Sequence, residues 1–153
     1  MKELEQCLID VFKEFKVPKN GIIRSQTLYG RIRTWDRPAQ DGATSALNQL
    51  ISDGYIAFDD NHYILLENGY NYIFRNYSIV DTEKVILNEF KIRKLGVDHI
   101  LPSNTLISLQ QSVERFHFDN FTIALERLIS QKHIKELDHG YILTGKGYDE
   151  IYS

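Results

Sequence analysis

The chain has 153 residues, of which 42% are hydrophobic, and a formal net charge of −3. This charge argues against a protein that binds nucleic acid through overall positive charge, and it leaves room only for local basic patches. The single cysteine, Cys7, excludes an intramolecular disulfide and a cysteine-based zinc site. No apolar run approaches the roughly 20 residues that a membrane span needs, so we expect a soluble, cytoplasmic protein that does not contact a membrane.

Most of the chain consists of two similar copies of one sequence, 78 residues apart, which is the difference between positions 47 and 125. Residues 46–74 and 124–152 align without a gap, and the same register extends toward the N-terminus. The identical pairs include Leu47/Leu125, Leu50/Leu128, Ile56/Ile134, Tyr63/Tyr141, Leu65/Leu143 and Gly69/Gly147. A period of this length is too long for a solenoid unit and long enough for a small domain with its own core. The repeat therefore predicts two tandem domains, residues 1–78 and 79–153, related by internal duplication.

Hydrophobic periodicity and turn residues divide the first copy into helices and short strands. Leu8 and its apolar neighbours recur at helical spacing until Pro18 ends the pattern, and Asp41 is a good N-cap for a later helix. The predicted elements are helix 1 at residues 4–15, a strand stub at 22–23, helix 2 at 25–34, helix 3 at 42–53, hairpin strands at 55–58 and 62–66, and helix 4 at 68–77.

The second copy repeats this order of elements. Its predicted elements are helix 1 at residues 82–93, a strand stub at 100–101, helix 2 from Ser103, helix 3 from Asp119, a hairpin that turns at 137–140, and a last helix from Gly145. Because helices take up most of both copies, we expect a mainly α fold with small β-hairpins, which is an α+β class.

The order helix, strand stub, helix, helix, hairpin, helix is that of a winged helix–turn–helix. The second copy resembles bacterial and archaeal winged-helix transcriptional regulators of the MarR and PadR kind. The residues that carry this resemblance are Leu125-Glu126-Arg127-Leu128 in helix 3, then Ile134, then Tyr141-Ile142-Leu143-Thr144 and Gly147 around the hairpin. The first copy departs from the pattern with Leu66 and Glu67 in place of Thr144 and Gly145. The resemblance implies two tandem winged-helix domains, double-stranded DNA as the partner and a role in regulating transcription.

Helix 3 of a winged helix enters the major groove, so its exposed face is the first place to look for DNA recognition. In the first copy the positions that are not predicted to be buried carry hydroxyl and amide side chains, namely Thr44, Ser45, Asn48, Gln49 and Ser52. Solvated helix faces usually carry Lys and Glu, whereas Asn and Gln can make two hydrogen bonds to adenine. We therefore predict DNA base contacts by Thr44, Ser45, Asn48 and Gln49.

Helix 2 and the turn that follows it lie over the DNA backbone in winged-helix proteins, so donors in this region are candidates for phosphate contact. The predicted phosphate contacts are Tyr29, Arg31, Arg33 and Arg37 in the first copy and Arg127 in the second. The alternative is that these arginines only keep the helices soluble.

The second copy presents a different helix 3, with Ile123 and Glu126 among its exposed positions. Phe116 and Phe118 precede it, and exposed aromatic side chains suit a protein surface better than a DNA surface. We predict that the first copy is the better DNA reader and that the second has moved toward packing or partner contact. A homodimer or a protein partner is expected to use Phe116 and Phe118 or the aromatic face of helix 4.

No pattern of residues predicts catalysis. The five histidines are scattered, and no nucleophile–base arrangement, phosphate loop or paired metal motif is present. His133 and His139 flank the second hairpin and could meet, but they have no acid or thiol partner, so we expect no enzyme activity, no metal and no cofactor. The alternative function is a winged-helix protein-interaction subunit of a larger assembly, which the acidic hairpin turn at 59–61 favours.

Overall fold

The computed structural model describes every residue from Met1 to Ser153 and contains eight helices and two small antiparallel sheets. The predicted α+β class is confirmed. The chain divides into two compact units, which we call unit 1, Met1–Arg75, and unit 2, Asn76–Ser153. No helix combines the length and the apolar character that crossing a membrane requires.

Unit 1 follows the order helix, strand, helix, helix, strand, strand, helix. Its elements are α1 Glu3–Glu14, β1 Ile22–Arg24, α2 Ser25–Ile32, α3 Arg37–Ser52, β2 Ile56–Asp59, β3 His62–Leu65 and α4 Glu67–Ile73. Strand β3 lies in the middle of the sheet and pairs antiparallel with both β1 and β2. Helix α1 packs against α3 and α4. Strand β2 follows α3 in the chain and contacts it.

Unit 2 has the same order of elements. They are α5 Ile79–Ile92, β4 Leu101–Pro102, α6 Ser103–Ser112, α7 Arg115–Ser130, β5 Ile134–Leu137, β6 Gly140–Leu143 and α8 Gly145–Tyr152. The central strand is β6, between β4 and β5, and α5 packs against α7 and α8.

The two units share ten buried positions of the repeat. The core of unit 2 consists of Ile86, Leu87, Phe90, Leu101, Leu106, Phe121, Ala124, Leu128, Ile134 and Leu143. The residue 78 positions before each of these is also buried in unit 1. One side chain differs greatly in size, because Ala43 of unit 1 corresponds to Phe121 of unit 2.

Helices α3 and α7 begin one turn earlier than we predicted. Asp36, and not Asp41, caps α3, since its carboxylate accepts a hydrogen bond from the backbone N–H of Ala39 at 3.0 Å. Pro38 lies in the first turn of α3, where proline is well tolerated because its missing N–H would be unpaired anyway. In unit 2 the same correction moves the start of α7 from Asp119 to Arg115.

Helix α4 ends at Ile73 and does not continue to Tyr77 as predicted. The next helix, α5, begins at Ile79, earlier than the predicted Thr82, because Ser78 and Asp81 form a capping box at its N-terminus. The residues predicted to belong to the end of helix 4 therefore form the connection into α5.

Gly69 at the start of α4 gives a test of close packing in unit 1. A Cβ atom at this position would collide with the carbonyl oxygen of Tyr55 and lie 2.8 Å from Cδ1 of Leu65. We expect Gly69→Ala to lower the free energy of unfolding by about 1–3 kcal/mol, because the backbone of Tyr55 has to move.

The matched control is Gly30 in the exposed interior of α2, where an added Cβ meets nothing within 4 Å. We expect Gly30→Ala to raise the free energy of unfolding by roughly 0.5–1 kcal/mol, because alanine restricts the unfolded chain more than glycine does. Urea denaturation of the two variants measures both effects, and a loss of the same size in both would contradict the packing at Gly69.

Candidate nucleic-acid interface

Helix α3 separates an apolar face from a polar face that carries no charged residue between Gly42 and Ser52. Ala43, Ala46, Leu47 and Leu50 are buried, at 8% exposure or less. The four residues predicted to contact bases, Thr44, Ser45, Asn48 and Gln49, are all exposed on the same helix. The helical period therefore brings the four predicted side chains to the surface of a single element.

These four side chains differ in whether they are already engaged. The Gln49 amide donates to Oδ1 of Asp53 one turn later, at 3.0 Å. No side-chain hydrogen bond engages Thr44, Ser45 or Asn48. Asn48 is thus the only amide on this face with both its donor and its acceptor available.

The predicted phosphate donors on α2 are held to different extents. Nε and Nη2 of Arg31 donate to one carboxylate oxygen of Glu14, at 3.2 and 3.1 Å. The Tyr29 hydroxyl is hydrogen-bonded to Tyr63, whose pKa is raised mainly by burial and further by this hydrogen bond. Arg33, at the C-terminal end of α2, is exposed and has no ion pair.

Arg37 was predicted to lie in the turn before helix 3, but it is the first residue of α3. Its Nε lies 2.9 Å from Oδ1 of Asp41, and the Arg37 side chain is 81% exposed. Arg37, Asp41, Thr44 and Asn48 are spaced by four, three and four residues, so they follow one stripe of the helix surface.

The sheet of unit 1 carries one arginine without an ion pair, Arg24, and an acidic turn between β2 and β3. A shallow pocket of about 490 Å³ lies beside the start of α2 and is lined by Arg24, Ser25, Gln26, Asp60, Asn61 and His62. Arg24 is exposed and has no ion pair, and it lies opposite His62 in the sheet. The acidic side chain of Asp60 in this pocket opposes phosphate binding there.

Arg127 of unit 2 is committed to an internal ion pair. Its Nε lies 2.7 Å from Oε1 of Glu83 on α5, although the angle is not that of a hydrogen bond. The Glu83 side chain is only 10% exposed. The corresponding residues of unit 1 are Gln49 and Glu5, so only unit 2 has this ion pair.

Phe116 and Phe118 are less exposed than we predicted. Both are half-buried within unit 2, where Phe116 contacts the Tyr77 ring and the Arg115 guanidinium lies over the Phe118 ring at 4.6 Å. The aromatic face of α4 is not exposed either, since Tyr70, Ile73 and Phe74 are buried.

His117 also faces the interior of unit 2. Its Nδ1 lies 2.8 Å from Oγ1 of Thr82, a residue with no exposed surface, and its ring contacts that of Tyr77. Burial lowers the pKa of His117, and the carboxylates of Glu114 and Asp81 partly oppose this shift. The sequence did not indicate this contact, because the partner residues come from different helices.

His133 and His139 do not come together as we had considered. They lie at opposite ends of strand β5, and no three His, Cys, Asp or Glu side chains lie close enough together to hold a metal ion. His133 Nδ1 is buried without a hydrogen-bond partner.

The ion pair between Arg127 and Glu83 predicts that unit 2 depends on Arg127 for stability. Arg127→Ala leaves a nearly buried carboxylate without its cation, so we expect the free energy of unfolding to fall by about 1–3 kcal/mol. The neighbouring Glu126 is exposed, and Glu126→Ala should change it by less than about 0.5 kcal/mol. A double-mutant cycle with Glu83→Gln measures the coupling, and additive effects would contradict the pair.

The environment of His117 predicts a pH-dependent stability. Because the folded chain binds this proton less readily than the unfolded chain, whose ordinary pKa is 6.5, stability is complete above that value and falls as the pH drops below it. We expect His117→Gln to flatten this part of the profile of unfolding free energy against pH. His139→Gln, in the exposed turn of the hairpin, should leave the profile unchanged, and equal flattening by both would contradict the assignment.

Comparison with known proteins does not assign the chain to a family. No protein-family model and no curated protein matches it.

Proposed function

We propose that this chain binds double-stranded DNA and regulates transcription, as two tandem winged-helix domains related by internal duplication. Helix α3 of unit 1 reads the DNA, and α2 and the residues around it contact the backbone. The observation that carries this proposal is the exposed, hydrogen-bonding segment of α3 from Thr44 to Gln49, which has no charged residue and on which Asn48 is not engaged by any other side chain.

The order of elements in each unit supports the winged-helix interpretation. Helices α2 and α3 are separated by a short turn, and β2 and β3 form a hairpin directly after α3, in the position of a wing. The equivalent elements of unit 2 bury the same ten positions of the repeat. Duplication of one domain, followed by changes at the surface but not in the core, accounts for the shared order of elements and the shared buried positions.

Base reading requires donors and acceptors that are exposed and not already satisfied within the protein. Thr44, Ser45 and Asn48 meet this condition. Gln49 can take part only if its hydrogen bond to Asp53 breaks, and an exposed side-chain hydrogen bond of this kind contributes little net stability. We therefore rank Asn48 above Gln49 as a base contact.

Backbone contact requires mobile cations near this face. Arg33 is free, and the pair between Arg31 and Glu14 is exposed, at 40% and 52% of the two side chains. Exposed ion pairs contribute between 0 and about 1 kcal/mol, so Arg31 can exchange Glu14 for a phosphate at little cost. Arg127 cannot do this as easily, because Glu83 would remain nearly buried without a partner.

The second candidate function is a protein-interaction subunit, which one feature of unit 2 favours. Ile107 on α6 and Ile123 on α7 are 56% and 53% exposed. They occupy the repeat positions of Tyr29 and Ser45, where unit 1 has polar groups. Together with Glu126, these residues make the α6–α7 surface less suited to DNA than the α2–α3 surface.

A titration of the full chain with fluorescent random duplex tests the DNA proposal. We expect binding at low salt whose log affinity falls linearly with log salt, by about 0.9 for each phosphate neutralised. Arg33→Ala should weaken binding to all sequences alike and reduce this slope by about 1. No binding even at low salt would overturn the proposal and favour the protein-interaction function.

Selection of tight binders from a randomised duplex pool then tests the reading face. On the selected site, we expect Asn48→Ala to weaken binding by roughly 1–3 kcal/mol, the usual value of a bidentate base contact. The matched control is Glu126→Ala, the same position in unit 2, which should not weaken it. Equal losses from the two variants would remove the proposed difference between the units.

A further inference from the structure

We infer that Arg37 is a base-reading residue which recognises guanine, and that Asp41 positions its guanidinium. This inference rests on the proposed DNA-binding function and adds a base preference to it. It also replaces the role that we predicted for Arg37, which was contact with phosphate from the turn before α3.

Arg37 lies at the N-terminal end of α3. As the first residue of the helix, it lies on the same stripe as Thr44 and Asn48, seven and eleven residues further on. The N-terminal residues of a recognition helix are those that contact base edges in helix–turn–helix proteins. A side chain on this stripe and at this end therefore lies where base edges are read.

The Arg37 side chain contacts Asp41 through only one of its three guanidinium nitrogens. The ion pair with Asp41 brings Nε of Arg37 within 2.9 Å of Oδ1 without the angle of a hydrogen bond, and no other ion pair engages the guanidinium. The two terminal nitrogens thus remain available as a fork. Such a fork matches the O6 and N7 acceptors of guanine, which is the commonest specific contact between a protein side chain and a DNA base.

Unit 2 has an arginine–aspartate pair at the same repeat positions, Arg115 and Asp119, but it is arranged differently. There the pair joins Nη2 of Arg115 to Oδ1 of Asp119 at 2.8 Å, so a terminal nitrogen is used. The Arg115 guanidinium lies over the Phe118 ring, and its Nε is buried. The Arg115 side chain is 28% exposed, against 81% for Arg37. Only unit 1 presents the fork.

Asp41 would be unfavourable near DNA if it acted alone, because phosphates repel its carboxylate. Its contact with Nε instead favours conformations of the Arg37 side chain that leave the two terminal nitrogens free, although an exposed pair of this kind is weak. Asp41 is therefore a positioning residue, and its removal should affect base preference and overall affinity in opposite directions.

The experiment uses the full chain and the site selected from a randomised duplex pool. Each guanine of that site is replaced in turn by 7-deazaguanine, which lacks the N7 acceptor but keeps its pairing with cytosine. For the wild-type chain we expect one replacement to weaken binding roughly five- to tenfold. In Arg37→Ala the same replacement should have no further effect, because the side chain that reads N7 is missing.

Two further variants serve as controls. Arg115→Ala, the counterpart in unit 2, should keep the full wild-type loss with 7-deazaguanine. Asp41→Asn should bind random duplex more tightly than the wild type does, yet lose part of the discrimination at that guanine. A purely electrostatic role of Asp41 would raise affinity and leave the discrimination intact.

A selected site without guanine would overturn the inference and leave the DNA-binding proposal standing. The same holds if 7-deazaguanine costs Arg37→Ala as much as it costs the wild type, or if Arg115→Ala also abolishes the loss. Absence of any salt-dependent DNA binding by the wild-type chain would overturn both proposals.

Discussion

The packing of α3 against α1 is the constraint on which the candidate interface depends. Ala43, Ala46 and Leu50 are buried on one side of α3. A helix has only one orientation that buries this stripe, so the opposite stripe has to face outward. Arg37, Thr44 and Asn48 are exposed for that reason, and not because of any contact that they make themselves. The same packing between α7 and α5 exposes Glu126 and Ile123 in unit 2.

Around this common packing, the two units use their polar residues differently. In unit 2, Arg127 and His117 turn inward toward Glu83 and Thr82 on α5. The corresponding residues of unit 1 are Gln49 and Ala39, which make no such contacts with α1. Unit 2 has therefore used its charged and aromatic groups to join α7 to α5. The polar groups of unit 1 remain at the surface, where a ligand can reach them.

Much of the secondary structure could be predicted from the sequence, because periodicity and turn residues are local properties. Helix α2 begins at Ser25 and β3 begins at His62, as predicted. The predicted start of α3 was wrong because a proline can mark either the first turn of a helix or a break between two helices. Only the cap that Asp36 forms with Ala39 distinguishes these two cases. Phe116 and Phe118 are less exposed than predicted for a related reason, since the exposure of an aromatic residue depends on what packs over it.

The sequence by itself determined the repeat and the α+β class, since these follow from spacing along the chain. It also named the polar residues of α3 correctly as exposed. The tertiary structure alone decided which of the arginines are free. Arg31 contacts Glu14 and Arg127 contacts Glu83, whereas Arg33 has no partner and Arg37 has only a neighbour on its own helix. Such pairs join residues from different helices, and their distances depend on how the helices pack, which no local pattern specifies.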